Sequence, residues 1–324
     1  MRFTDLAELS LDLIDLYRER FAASATELAD AAPNSRLAWN QGYHYRYHDD
    51  GQLFTAVSDG GIFSRPHFCL PLGELTVDAL LPVIKSMEEI FKAESWPLCS
   101  MFIDEKFKPL YELAAERLDY FIEWDYNDDF TDYVYDAAKL RSLSGKRYRT
   151  KRNHINQFLR DFPAVEYRPL SAEMAEQALQ LVLDWGENKD VDPDNMRESD
   201  YLPIKYLFTN FAELNLKGGA IYLGDLLLAF AIGSQTREDI AVIHFEKANP
   251  NLENIYAVIN RWVAEEAFPE VKEINREEDM GIEGMRLAKE SYHPLKRLRK
   301  YRANFIKKCC AKEYRAQKSL SEVK

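Results

Sequence analysis

The order of strands and helices predicted for the second half of the chain limits the fold more than any other feature of the sequence. A strand pattern at residues 165–169 is followed by two amphipathic helices, a hairpin that turns at Gly224 and Asp225, and a strand that ends near Lys247. A helix, a short strand, another helix and a last extended segment follow, so the predicted order is βααβββαβαβ. Hairpins combined with strand–helix–strand units predict the α/β class with a mixed sheet, in an α+β arrangement.

The first half of the chain predicts a second unit of the same class. Its pattern contains an amphipathic helix, antiparallel strands rich in aromatic residues, and a strand–helix alternation. A length of 324 residues suits two cores of roughly 150 residues each. We therefore predict an N-terminal domain at residues 1–140, a connecting basic helix at residues 141–163 and a C-terminal domain at residues 164–324.

Composition and cysteine spacing exclude several classes of protein. Hydrophobic residues make up 46% of the chain, which is typical of a folded protein. No apolar run approaches the roughly 20 residues that span a bilayer, and acids stand where a signal peptide would be basic. We predict a cytoplasmic protein without a transmembrane segment, either free or bound peripherally at the inner face of the membrane. The four cysteines form no CxxC pair, so we expect neither a disulfide framework nor a metal site.

Basic residues are concentrated in two segments of an otherwise acidic chain. The net charge is −12, yet residues 141–160 hold seven Lys or Arg and no acid, and residues 295–308 hold another seven. Subtracting these fourteen from the total of 42 leaves 28 bases against 54 acids elsewhere. Such segregation favours a polyanionic partner, and a solvated basic face of a helix is the alternative interpretation.

Residues 272–301 combine a strand end, a cluster of charges, a glycine turn and a helix. The strand ends near Asn275, three carboxylates follow Arg276, and Gly281 supplies the backbone freedom that a tight turn needs. The helix has apolar residues at helical spacing and must end before Pro294. Polar side chains at the carboxyl end of a strand and the amino end of a helix are typical of a ligand site. A solvated turn is the alternative.

Three stretches of the sequence together resemble one bacterial protein family. They are LSGKRYRTKRNHINQF at residues 143–158, HFEKANPNLENIYAVIN at residues 244–260 and INREEDMGIEGMRLAKESYHP at residues 274–294. They resemble the C-terminal domain family of phosphatidylglycerol lysyltransferase, whose members are tandem GNAT-like proteins related to Fem-type aminoacyl- and peptidyltransferases. The resemblance implies tandem GNAT-like (acyl-CoA N-acyltransferase) domains, in which a mixed sheet splays between its central strands to admit the acyl donor. The predicted element order matches that fold.

The family implies a soluble aminoacyltransferase that moves an aminoacyl group from aminoacyl-tRNA to an amine or hydroxyl acceptor, a lipid head group or another small molecule. We expect no permanently bound cofactor, and aminoacyl-tRNA rather than acetyl-CoA as the donor. Acetyl-CoA enzymes of this fold carry a glycine-rich pyrophosphate loop after the corresponding strand, whereas residues 248–252 of this chain read ANPNL. Without glycine, the backbone cannot approach a pyrophosphate closely.

Carboxylates are the candidate catalytic residues. An attacking amine or hydroxyl must lose a proton, and a carboxylate with a raised pKa can accept it. The candidates for this general base are Glu246, Glu277, Glu278 and Asp279. Glu246 shares a strand face with His244, and a structural ion pair with a neighbouring arginine is its alternative role.

Candidate binding residues surround these acids. The candidates for contact with a substrate are Lys247, Asn249, Asn275, Arg276, Tyr292 and His293. The candidates for contact with tRNA or another polyanion are Lys146, Arg147, Lys151, Arg152, His154 and Lys296. Three of this second set recur at helical spacing, which predicts a basic stripe whose Lys and Arg side chains bind phosphates.

Two other functions are compatible with the same fold. One is an acetyl-CoA-dependent N-acyltransferase that acts on a small amine, and the other is a binding module that has lost the chemistry. Hydrolase, zinc-protease and NTPase functions have no support, because the sequence contains no G-x-S-x-G, H-E-x-x-H or Walker motif.

Overall fold

A computed structural model describes residues 1–187 and 200–310, and the chain forms two compact units. The first unit contains Met1–Pro33, Asn40–Asp128 and the described part of Arg299–Lys324. The second unit contains Asn34–Trp39 and Asp129–Leu298, apart from the undescribed residues 188–199. Within the described ranges, no helix is both long enough and apolar enough to cross a membrane.

Strands make up two sheets. The strands are β1 (Ala7–Glu8), β2 (Tyr45–Asp49), β3 (Phe54–Ser58), β4 (His67–Cys69), β5 (Cys99–Asp104), β6 (Tyr120–Tyr126), β7 (Asp132–Asp136), β8 (Val165–Pro169), β9 (Leu216–Leu223), β10 (Leu226–Arg237), β11 (Ile240–Ala248), β12 (Glu273–Asn275), β13 (Lys296–Leu298) and β14 (Lys300–Lys307).

Helices cover or connect these strands. The α-helices are α1 (Ile14–Ala23), α2 (Pro33–Ala38), α3 (Asn40–Tyr43), α4 (Val77–Ala93), α5 (Lys108–Arg117), α6 (Ala137–Ser142), α7 (Arg149–Asp161), α8 (Ala175–Glu187), α9 (Leu202–Thr209), α10 (Ile255–Trp262) and α11 (Glu283–Glu290). A π-helical turn, Val263–Ala267, extends α10.

The first sheet has the strand order β1-β2-β3-β4-β5-β14-β6. Only the β4–β5 pair is parallel among these pairs. One face of the sheet packs against α4 and α5, and Phe68, Ile84, Tyr111 and Phe305 are buried there. On α4 the apolar residues recur every three or four positions, which gives the helix one buried face.

The second sheet has the order β13-β7-β12-β11-β10-β9-β8, and only its β11–β12 pair is parallel. Its core contains Tyr135 of β7, Phe158 of α7, Val258 of α10 and Ile274 of β12. The predicted mixed α/β class is thus confirmed for both units.

Both sheets have the same arrangement with one exchanged strand. In the first sheet β14 lies between β5 and β6. In the second sheet β7 lies in the corresponding position, between β12 and β13. Each comes from the other half of the chain, so the two units have boundaries that differ from the predicted domains at 1–140 and 164–324. β7 has antiparallel neighbours on both edges, β12 and β13, which satisfy its backbone hydrogen bonds. Hydrophobic periodicity predicts that such a strand exists but does not name its neighbours.

The parallel pair at the centre of the second sheet opens partway along β11. Backbone pairing with β12 involves Ile240, Ala241 and Val242 and then stops at Asn275, where β12 ends. The rest of β11 continues to Ala248, and among the described residues no strand pairs with it on the edge that faces β12. This opening places side chains of β11 opposite the turn at residues 276–281, hereafter the site turn.

Candidate active site

Side chains bridge the opening where backbone pairing ends. His244 Nδ1 lies 3.3 Å from Glu277 Oε1. Further along the strand, Arg276 Nη2 lies 3.3 Å from Glu246 Oε1 and 3.4 Å from Oε2. β11 and the site turn therefore face each other, and the structure brings Glu246, Arg276 and Glu277 together at this opening.

Arg276 and Glu246 form an ion pair that is largely enclosed by the protein. The side chain of Arg276 is only 13% exposed and that of Glu246 only 12%. The rings of Tyr292 and Tyr135 lie 5.3 and 5.7 Å from its guanidinium carbon. With its amide oxygen turned to the guanidinium, Asn260 accepts hydrogen bonds of 2.9–3.0 Å. Burial acts to lower the pKa of Arg276, but the Glu246 carboxylate and the two tyrosines outweigh it and raise the pKa, so the guanidinium stays charged.

His244 is buried and electrically neutral at pH 7. Burial lowers its pKa to about 4. Its Nε2 lies 2.8 Å from Ser234 Oγ, and its Nδ1 lies 3.2 Å from Ser35 Oγ as well as close to Glu277. In the tautomer that satisfies these contacts, Nδ1–H donates toward Glu277 and Nε2 accepts from Ser234. The imidazole thus orients Glu277 without adding a charge.

Asp279 does not suit the predicted role of general base. Its side chain is fully buried, accepts from Tyr133 Oη at 2.6 Å and from Arg286 at 2.9 Å, and its Oδ1 accepts from Gly281 N at 2.8 Å. Burial acts to raise its pKa, but these hydrogen bonds lower the pKa of Asp279 to about 2. A carboxylate with such a low pKa is a poor proton acceptor. The hydrogen bonds of Asp279 instead hold the site turn in its conformation. Glu278, half-buried in the same turn, keeps its candidacy as a prediction.

Asn275 also has a structural role rather than the predicted contact with a substrate. It has no exposed surface. Its Nδ2 donates to Asp132 Oδ2 at 2.9 Å, and its Oδ1 accepts from Glu277 N at 2.8 Å. Asn275 therefore ties the end of β12 to β7 and to the site turn.

Two other predicted substrate contacts lie away from Arg276. Lys247 points to the opposite side of β11, where its Nζ lies 2.6 Å from Asp200 Oδ2 and 3.9 Å from the centroid of the Trp185 ring. Asn249 follows β11 and accepts from Asn251 N at 3.0 Å, which closes a local turn. Alternation along a strand explains the separation of Lys247 from Glu246.

Tyr292 and His293 take different positions at the end of α11. Tyr292 is buried, and its ring lies between the charges of Arg276 and Lys151, whose Nζ is 4.2 Å from the ring centroid. His293 is exposed and packs edge-on against Tyr148 at 5.4 Å. The predicted apolar face of this helix is wrong in part, because Ile282 is 50% exposed and the inward positions carry Arg286 and Lys289.

The basic residues of α7 and of the 3₁₀ turn that precedes it, Lys146–Tyr148, divide into exposed and engaged groups. Lys146 and Arg147 are exposed, and Arg147 lies over the ring of Tyr148 at 5.1 Å. Lys151 is half-buried, and burial together with the charge of Arg276 lowers its pKa. Arg152 instead donates to the carbonyls of residues 143 and 145. The predicted helix is present, with Ile155 and Phe158 facing the core.

His154 and Lys296 complete the predicted polyanion set. His154 is half-buried on α7. Lys296 lies on β13, and its Nζ pairs with Glu273 Oε2 at 2.7 Å. The charge of Lys296 is therefore partly satisfied within the protein, which weakens its candidacy.

Sequence reasoning missed three residues of the site. Asn260 of α10 and Tyr135 of β7 contact Arg276, and Lys289 of α11 binds the backbone of the site turn. Asn260 and Lys289 occur within the stretches that carry the family resemblance, and this was the available signal. Tyr135 carried none, because its contact depends on the exchanged strand.

A match to a known protein family agrees with this geometry. Residues 31–304 match the family described as phosphatidylglycerol lysyltransferase, C-terminal. The chain belongs to this family. No curated protein sequence matches the chain. The matched range includes the opening between β11 and β12, the site turn and most of both units.

Several solved structures share the fold of this lysyltransferase-family chain. A conserved protein of unknown function from Bacteroides thetaiotaomicron is 25% identical and superposes with a TM-score of 0.82 over 92% of this chain and 98% of that chain. L-PGS from Bacillus licheniformis is 15% identical, with a TM-score of 0.63 over 92% of each chain. FemX is 9% identical, with a TM-score of 0.58 over 94% of this chain and 98% of that chain.

The family match confirms the predicted family resemblance, and the structural likenesses confirm the predicted fold class. L-PGS and FemX share the fold with this chain at low sequence identity, and family and fold together are of the acyltransferase type.

Proposed function

We propose that the protein transfers an aminoacyl group from aminoacyl-tRNA to an amine or hydroxyl acceptor at the opening between β11 and β12. In this reaction the acceptor nitrogen or oxygen attacks the ester carbonyl, and the bond to the tRNA 3′-terminal ribose oxygen breaks. The acceptor loses one proton and the ribose oxygen gains one, so the products are the aminoacylated acceptor and free tRNA. The names of the family and of L-PGS motivate this choice of chemistry.

The buried Glu246–Arg276 pair is the observation that carries the proposal. It lies where a GNAT-like sheet opens, and it is the place in the second unit where a carboxylate and a guanidinium meet across that opening. In the proposed reaction, Glu246 accepts the proton of the acceptor and returns it to the leaving oxygen. Arg276 holds the Glu246 carboxylate in place before the attack, through contacts of 3.3 and 3.4 Å to its two oxygens.

The loop after β11 supports a donor other than acetyl-CoA. Pyrophosphate binding in this position requires backbone N–H groups that point outward and are free. Here Asn249 N donates to Leu228 O at 2.8 Å, Asn251 N donates to the Asn249 side chain at 3.0 Å, and Leu252 N donates to Asn249 O at 3.1 Å. These three N–H groups are therefore engaged with β10 or within the loop and are not free to hold a pyrophosphate.

The exposed basic residues of the 3₁₀ turn just before α7 supply a surface for the tRNA donor. Lys146 and Arg147 have no carboxylate partner among the described residues, and Lys151 extends this surface toward Tyr292. Lys and Arg contacts to phosphates give affinity without reading sequence, which suits a donor recognised by its 3′ end.

Isothermal titration and a turnover assay together test the proposal. We expect no binding of acetyl-CoA at micromolar concentrations, and we expect Glu246→Gln to lower turnover by about 100-fold, the usual scale for loss of a general base. Glu253→Gln, which changes an exposed acid in the loop after β11, is the matched control and should keep full turnover. Micromolar binding of acetyl-CoA would contradict the proposed donor, and full turnover of Glu246→Gln would contradict the proposed base.

A further inference from the structure

Lys289 of α11 holds the site turn through its backbone. Its Nζ donates to the carbonyl oxygens of Arg276 at 2.6 Å, Glu277 at 3.0 Å and Glu278 at a shorter distance. The residue is only 7% exposed, although lysine is among the residues that are least often buried. Three consecutive carbonyls thus use all three N–H donors of one ammonium group.

One of the three carbonyls that Lys289 binds belongs to Glu277, which has an unfavourable backbone conformation. Glu277 has a φ of 57°, which is a left-handed backbone conformation that costs free energy in any residue with a Cβ atom. Such conformations persist only where the surroundings hold them, and they occur preferentially at functional sites. Here Glu277 N donates to Asn275 Oδ1, Tyr133 N donates to Glu277 O at 3.1 Å, and Lys289 adds a second donor to the same carbonyl.

We propose that Lys289 is a positioning residue, which holds the site turn so that Arg276 faces Glu246 and Glu277 faces His244. This inference rests on the proposed function only for its effect on turnover. Lys289 does not face the opening, because its three donors are directed at the turn's own carbonyls. Its effect is on the direction of two side chains, and small errors in such directions lower the rate of an oriented reaction steeply.

The charge state of Lys289 decides how many carbonyls it can bind. An ammonium group donates three hydrogen bonds, whereas a neutral amine donates two and turns a lone pair toward the remaining oxygen. Burial lowers the pKa of Lys289 to about 8, and the charge of Arg276 adds to this lowering. The carboxylates of Glu278, Glu277 and Asp132 act to raise it.

The aromatic neighbours of Lys289 do not titrate in the same range of pH. The ring of Tyr133 lies 5.8 Å from Nζ, and Tyr135 Oη donates to the carbonyl of Lys289 at 2.8 Å. Burial is the main cause that raises the pKa of Tyr133 to about 12, and it also raises the pKa of Tyr135. The pKa of Lys151 is lowered too, so the signature of Lys289 is an alkaline limb near pH 8 that disappears when Lys289 is replaced.

The pH dependence of turnover tests this inference through the reaction. We expect kcat of the wild-type protein to fall above about pH 8, with KM little changed. Lys289→Gln should lower kcat by roughly 10-fold or more and abolish this alkaline limb, because its amide does not titrate. An alkaline limb that persists in Lys289→Gln, or a variant with wild-type kcat, would overturn the inference.

Amide hydrogen exchange on the full chain tests it without any reaction. Lys289→Gln should speed exchange at residues 276–281 by about 10-fold or more, while exchange in β5 and β14 of the first unit stays unchanged. In a Glu277→Gly background, where glycine accepts the positive φ, the same substitution should speed exchange less.

Two outcomes separate this inference from the proposed function. Unchanged exchange at the site turn in Lys289→Gln would contradict the positioning role even if aminoacyl transfer is found. Faster exchange confined to the site turn would support that role even if no transfer is found, and then only the proposed function would fail. Should Lys289→Gln not fold, hydrogen exchange of the wild-type protein decides: protection of residues 276–281 should fall above about pH 8 relative to β5 and β14, and unchanged protection would overturn the inference.

Discussion

Glu246 and Arg276 lie 3.3 Å apart at the point where two neighbouring parallel strands stop pairing, so a buried ion pair stands where backbone hydrogen bonds end. Charges in such a place are costly to desolvate, and each is tolerated because the other is present. The same arrangement gives the opening a polar lining at its base. Stability and chemistry at this site are therefore linked through one pair of residues.

Removal of one partner of this pair should destabilise the protein. We expect Arg276→Met to lower the free energy of unfolding by about 3 kcal/mol, because it leaves Glu246 buried without its guanidinium. Denaturant unfolding measures the change. Arg168→Met is the control, since its ion pair with Glu166 is exposed and worth little. A loss no larger than that of the control would show that Glu246 is solvated rather than buried.

Asp279 should stabilise the protein only above acidic pH. Its pKa is lowered to about 2 in the folded protein from about 3.8, so its contribution is fully present above pH 3.8 and is lost as the pH falls toward 2. Asp279→Asn should therefore cost on the order of 1 kcal/mol near pH 7, after an allowance for solvent screening, and much less near pH 2. Urea unfolding at several pH values checks the sign. A cost that grows toward acid would refute this account.

The exchanged strand β14 should be essential to the core of the first unit. Phe305 is 7% exposed and packs near Phe68 and Tyr111, so Phe305→Ala should lower the free energy of unfolding by about 3 kcal/mol. Ile306→Ala changes the next residue of β14, which is half-buried outside that core, and should cost less. Hydrogen exchange would locate the effect in β5 and β6. Equal costs for the two variants would argue against the observed register of β14.

The start of α7 should contribute phosphate contacts if tRNA is the donor. Each contact adds about 0.7–0.9 to the slope of binding affinity against salt concentration on logarithmic axes, so replacing Arg147 and Lys151 by Ala should reduce that slope by nearly two. Filter binding of aminoacyl-tRNA at several salt concentrations measures it. Arg160→Ala, at the far end of the same helix, should leave the slope unchanged. An unchanged slope in the double variant would exclude this surface as the tRNA site.

Local patterns in the sequence predict much of the fold. The strand at β8 and the basic helix at α7 lie where they were predicted, because alternation and helical spacing reflect burial of one face. The exchange of β7 and β14 could not be predicted, since both neighbours of each strand come from distant parts of the chain. The predicted domain boundaries fail to match the two units for this reason.

The site shows the same division between local and distant information. Glu246, Arg276 and Glu277 could be predicted to lie together, because both segments end strands of one sheet. Asp279 accepts hydrogen bonds from Tyr133 and Arg286, and these contacts join distant parts of the chain. In the sequence, Asp279 is one of three neighbouring acids with nothing to distinguish it. Nothing in the sequence distinguishes Lys289 from other lysines on helices. Its three carbonyl partners become apparent only in the folded turn.

A single-turnover assay of donor use tests the central claim most directly. The purified protein is mixed in excess with tRNA carrying a labelled amino acid, with and without a pool of bacterial lipids and small amines as acceptors. We predict that label leaves the tRNA much faster than by spontaneous hydrolysis, that it appears on an acceptor, and that Glu246→Gln slows this step by about 100-fold. Release of label at the spontaneous rate with every acceptor, together with acetyl transfer from acetyl-CoA to an amine, would contradict the account.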